Sequence, residues 1–68
     1  MAASRNRTLI RALGIVRRLD GAKVGATLAE LAADSGVCTR TIRRDLEAIE
    51  SAGIPLVSDE ARRWRVFR

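Results

Sequence analysis

The sequence predicts a mainly α fold, three helices closed by a small β-hairpin. Three observations predict it. Apolar residues recur at helical spacing in three separate stretches, and a glycine follows each of them. After Pro55 the pattern changes to the two-residue alternation of strands. Sixty-eight residues suffice for one small domain spanning 1–68, with a stability of about 3–5 kcal/mol. Only 3% of the residues are aromatic (Trp64 and Phe67), so Leu, Ile, Val and Ala must build the core.

The first helix is expected from about Arg5 or Thr8 to Leu19. Leu9, Leu13 and Val16 line one face, joined by Ala12 and Leu19, while Arg11 and Arg18 face outward. Ser4 is placed to cap its start, and Gly14 falls on the polar side. Ile10 and Ile15 flank the stripe, as core rim or as part of a partner contact. Asp20-Gly21-Ala22-Lys23 reads as a turn, and Val24–Ala26 as a short extended piece that could add a third strand.

Thr27-Leu28-Ala29-Glu30 has the spacing of a capping box, in which the Thr hydroxyl and the Glu carboxylate each accept a backbone N–H. The second helix that follows points Leu28, Leu31 and Ala32 inward and closes at Asp34-Ser35-Gly36. A third helix occupies roughly Thr39 to Ser51, stopped by Ala52-Gly53 and then Pro55. Leu56-Val57-Ser58 and Arg63-Trp64-Arg65-Val66-Phe67 form the hairpin arms around Asp59-Glu60-Ala61-Arg62. Trp64 and Val66 share one face, with Arg63 and Arg65 on the other.

Charge narrows the function classes. The formal net charge of +5 gathers at both ends: Arg5, Arg7, Arg11, Arg17 and Arg18, then Arg62, Arg63, Arg65 and Arg68. Such a surface suits a polyanion, nucleic acid or membrane, although solubility and genome composition explain the N-terminal arginines equally well. No apolar run approaches the ~20 residues of a spanning helix, and no signal-peptide pattern opens the chain. Cys38 is the only cysteine and histidine is absent, so neither a disulfide within one chain nor the usual zinc sites can form. No metal or cofactor is expected, and a cytoplasmic, nucleoid-associated location fits. Without histidine, paired carboxylates or a phosphate-cradling glycine loop there is no catalytic set, and the chain does not read as an enzyme.

The most informative stretch is Thr39-Arg40-Thr41-Ile42-Arg43-Arg44-Asp45-Leu46. On a helix, Ile42, Leu46 and Ile49 make one apolar stripe, and Arg40, Arg43 and Arg44 project from the opposite side. Acids dominate only the later turns (Asp45, Glu47 and Glu50), so positive charge gathers at the helix N-terminus. There the macrodipole is also positive and free N–H groups favour phosphate. Ala32, Gly36 and Ile42 supply a small crossing residue, a turn glycine and an apolar anchor, the requirements of a helix-turn-helix. The third helix therefore reads as a DNA-recognition helix.

From these residues the chain resembles winged helix-turn-helix bacterial regulators, most closely the N-terminal domains of WYL-domain transcription factors and DeoR-type repressors. The likeness lies in Leu28-Ala29-Glu30-Leu31-Ala32, in Val37 through Ile49, and in Ala52-Gly53-Ile54-Pro55-Leu56. Thr41-Ile42-Arg43-Arg44-Asp45-Leu46 is its most specific part, and Gly53-Ile54-Pro55-Leu56 favours the WYL type. The resemblance implies a winged helix-turn-helix that binds double-stranded DNA in transcriptional control. It also implies a homodimer on paired half-sites, although so short a chain could bind as a monomer or dimerise only on DNA. It implies a C-terminal sensor domain after the wing as well, so that the chain is either an excised N-terminal domain or a stand-alone small regulator. Thr39, Arg40 and Arg43 would reach base edges, where arginine pairs bidentately with guanine. Thr41, Arg44, Arg62, Arg63, Arg65, Arg5 and Arg7 would meet the backbone, the wing arginines at phosphate or the minor groove.

Other residues carry two readings. Glu47 could accept from cytosine or stand as a solvated acid. Asp45 is better placed as an ion-pair partner for a neighbouring arginine than beside phosphate. Trp64 could stack on a base, but its place on the Val66 face favours the core. The family usually has serine at the position of Cys38; cysteine caps poorly, so Thr39 is expected to take over and shift the helix start by one residue. Two other functions remain open. One is a phage or mobile-element architectural or excision protein that bends DNA. The other is a winged-helix protein-interaction module.

Overall fold

Ile42, Leu46 and Ile49 are 0%, 2% and 4% exposed, and the other elements gather around this stripe. The computed structural model describes the backbone of residues 2–67 and the side chains of residues 7–67. Helix α1 spans Ala2–Leu19, α2 Leu28–Ser35 and α3 Thr39–Ser51; strands β1 (Leu56–Ser58) and β2 (Trp64–Val66) follow. The strands pair antiparallel, with Leu56 opposite Val66 and Ser58 opposite Trp64. The expected third strand is reduced to one antiparallel bridge, Ala26 to Trp64, whose backbones exchange hydrogen bonds of 3.0 and 2.8 Å. The architecture is a three-helix winged helix-turn-helix.

Helix α2 forms as its sequence dictates. Thr27 accepts from the Glu30 N–H at 3.1 Å and Glu30 Oε1 accepts from the Thr27 N–H at 3.0 Å. Gly36 ends the helix at φ 70°, in the left-handed region that glycine adopts without steric cost. The following turn brings α3 across α2, with Leu31 and Ala32 buried at the crossing. Arg63 and, above all, the Thr27 N–H hold the Glu30 carboxyl below its usual pKa, so this cap weakens only in acid.

Several expectations for α1 are corrected. The helix begins at Ala2, so Ser4 lies inside it and is not its cap. Its buried face is Ile15 and Leu19, 3% and 1% exposed, whereas Leu9 and Leu13 are 57% and 55% exposed. The physical reason is Arg11. This residue does not face outward: its guanidinium donates to Asp45 through Nε at 2.5 Å and Nη2 at 3.1 Å. That pair rotates α1 so that Ile15, one turn beyond Arg11, meets the core. Leu9, Ala12, Leu13 and Val16 then line an apolar groove with Ala48 and Ala52. Ile10, read as core rim or as part of a partner contact, is 69% exposed and so is not core rim. Arg18 also has a partner, Asp34 on α2.

Asp45 is buried, and an ion pair in such a place stabilises chiefly relative to losing one member. Asp45→Ala is expected to cost about 3 kcal/mol, most of this domain's stability, whereas the Arg11→Met/Asp45→Leu pair costs much less. Urea midpoints check this, and a double variant weaker than the single one contradicts it. Glycine substitutions should split in sign. A Cβ on Gly14 meets nothing within 4 Å, so Gly14→Ala should stabilise by about 1 kcal/mol. A Cβ on Gly25 would lie 2.4 Å from the Trp64 carbonyl oxygen, so Gly25→Ala should break the Ala26–Trp64 bridge. Faster hydrogen exchange at both bridge amides is the readout; unchanged exchange contradicts it.

Candidate nucleic-acid interface

The inward pull of Asp45 fixes which side of α3 meets solvent. Arg40, Arg43, Arg44 and Glu47 are all exposed, on the side away from Ile42 and Leu46. The first carboxylate along the helix is thus turned to Arg11, whose own pKa it raises by accepting both hydrogen bonds. Three guanidinium groups remain on the outer face at the positive end of the helix dipole.

Beside them lies a cleft of about 590 Å³, between the N-terminal turns of α2 and α3 and the β1–β2 turn. Thr27, Thr39, Arg43, Ser58, Arg62 and Trp64 line it, and its lining includes no carboxylate. Two arginines and three hydroxyls facing one hollow can donate to phosphate oxygens and to base-edge acceptors. Trp64 forms part of the wall while also packing against the core cluster, in keeping with its expected core role. Glu30, close by, is already held by Thr27 and Arg63.

The structure brings Thr39, Arg43 and Arg62 to this one cleft, with Arg40 and Arg44 exposed further around α3. It separates the remaining expected contacts. Arg63 donates through Nη1 to the Gly25 carbonyl at 3.1 Å and to Glu30 Oε1 at 3.2 Å. Its Nη1 ties the wing to α2, while the side chain remains 35% exposed. Arg65 is exposed but lines a separate hollow with Gly21, Ala22 and Phe67, and Arg7 another beside Ser35 and Gly36. Thr41 is half-buried, its hydroxyl 3.3 Å from the Cys38 thiol. The Arg5 side chain lies outside the described residues.

Cys38 itself is the N-cap of α3, and the helix starts at Thr39, so the expected one-residue shift does not occur. The thiol makes no side-chain cap hydrogen bond and instead contacts Thr41, whose hydroxyl is the first cause of its lowered pKa. With the cap bond missing, the first N–H groups of α3 keep no side-chain acceptor there. Sequence reasoning missed Thr27 and Ser58 as cleft residues. Thr27 was legible only as a helix cap, and Ser58 carried no signal because strand register alone turns it toward α3.

Comparison with known proteins agrees with this geometry. A family model described as "HTH domain" matches residues 11–62, from the ion-pair arginine of α1 to the wing turn. No curated protein and no solved structure matches the chain. With more than half of its length matched, and with the helix-turn-helix formed by α2 and α3, the chain belongs to the HTH domain family of DNA-binding modules.

Proposed function

We propose that this chain binds duplex DNA sequence-specifically in bacterial transcriptional regulation, α3 entering the major groove and the wing lying on the adjacent backbone. The observation that carries the reading is the outer face of α3, where exposed arginines continue into a cleft whose lining holds no carboxylate. Thr39, Arg40 and Arg43 are the proposed base contacts. Arg44 and Arg62 are the proposed phosphate contacts nearest them, and Arg65 and Arg7 lie further out. The WYL- or DeoR-type assignment belongs to this proposal and rests on the Thr41–Leu46 and Gly53–Leu56 sequence likeness. So does pairing of two copies on half-sites about one helical turn apart.

Selection of bound duplexes from a random pool, followed by fluorescence anisotropy on the selected sequence, tests the reading. A consensus should emerge. Arg43→Ala should cost about 1–3 kcal/mol on that sequence and relax preference at one base position. Arg44→Ala should weaken all sequences about evenly and flatten the salt dependence by about one unit. Absence of any consensus, or equal losses on all sequences from both variants, overturns the assignment of the groove-facing side.

A further inference from the structure

The turn joining β1 to β2 has an unexpected residue at its tightest point. Asp59 and Arg63 are joined by a 3.1 Å bond from the Asp59 N–H to the Arg63 carbonyl. The Arg62 N–H closes a four-residue turn onto the Asp59 carbonyl at 2.9 Å. This leaves Glu60, Ala61 and Arg62 as a three-residue hairpin loop, whose last position must be left-handed and is normally glycine. Here it is Arg62, at φ 61°; among the described residues it is the only non-glycine with positive φ. An L side chain in that region costs free energy that glycine would avoid.

Asp59 holds the strained turn. Its Oδ1 accepts from the Ala61 N–H at 2.9 Å and from the Arg63 N–H at 3.0 Å, the amides on either side of Arg62. Arg63 is tied in turn to Gly25 and Glu30, so the base of the loop is anchored to α2. A glycine would form the turn more readily but would carry no charge into the cleft. Arg62 lines that cleft, as does Arg43.

We propose that Arg62 is a preset probe of the wing, kept in a strained conformation because its guanidinium holds the same DNA segment as α3, and that Asp59 is the positioning residue that aims it. The inference rests on the DNA-binding reading above and adds to it the residue pair that makes the wing's contact. Pre-organisation spares the loop an ordering cost on binding, which is why the aim of the side chain, and not its charge alone, should matter.

Anisotropy on the selected duplex and thermal unfolding of the full chain test this together. Arg62→Gly should raise Tm by about 5 °C, from strain relieved in a domain of this size, yet weaken DNA binding about tenfold. Arg62→Ala should lose the same affinity without the gain in Tm. Asp59→Asn and Asp59→Ala carry equal charge, and only the former keeps an acceptor oxygen for Ala61 and Arg63. Asp59→Asn should therefore bind DNA at least as well as the parent, and Asp59→Ala several-fold more weakly. That second loss should vanish in an Arg62→Ala background, which a merely structural role would not produce. DNA binding unchanged in Arg62→Ala overturns the inference and removes Arg62 from the proposed phosphate contacts, and equal effects in both Asp59 variants overturn the role of Asp59; either leaves DNA binding through α3 intact. A parent protein that binds no duplex overturns both.

Discussion

The ion pair between Arg11 and Asp45 is the constraint on which the rest of this molecule depends. A carboxylate turned outward among Arg40, Arg43 and Arg44 would offset part of their positive charge. Here it is buried against α1 and matched by a guanidinium, so the same residue clears the outer face and fixes the rotation of α3. Ile42, Leu46 and Ile49 supply the burial that holds the helix in place. The ion pair adds direction, because a bidentate contact has one satisfactory orientation where a greasy stripe tolerates several.

From that orientation the remaining features follow in sequence. The Thr27–Glu30 box starts α2 where the turn to α3 requires, and the same Glu30 oxygen that accepts from the Thr27 N–H also accepts from Arg63 of the wing. The Ala26–Trp64 bridge docks the hairpin beside α2, close enough that position 25 has no room for a side chain. Helix, cap and wing thus share one network, and the cleft bounded by Arg43 and Arg62 is its product.

Much of this was legible in the sequence, and the exceptions have a common cause. Caps and turn glycines act locally, so α2, its box and the stop at Ala52-Gly53 could be read directly. The apolar stripe of α3 was unambiguous because arginines flank it. On α1, six large apolar residues encircle more than half of the helix, and periodicity alone could not choose Ile15 over Leu9 and Leu13. The choice is made by an arginine whose partner lies 34 residues away, and a charged residue at a helix surface reads as solvated. Arg63 escaped for the same reason: its acceptors, Gly25 and Glu30, are distant in sequence.

The central claim is that α3 turns its arginines outward to DNA while Asp45 keeps Arg11 inside. Arginine side-chain Nε–H resonances, followed by NMR as a selected duplex is added, test it most directly. The account predicts large shifts at Arg40, Arg43 and Arg44, with Arg11 unmoved and still protected from solvent exchange. Movement at Arg11 with little change at the other three would contradict it.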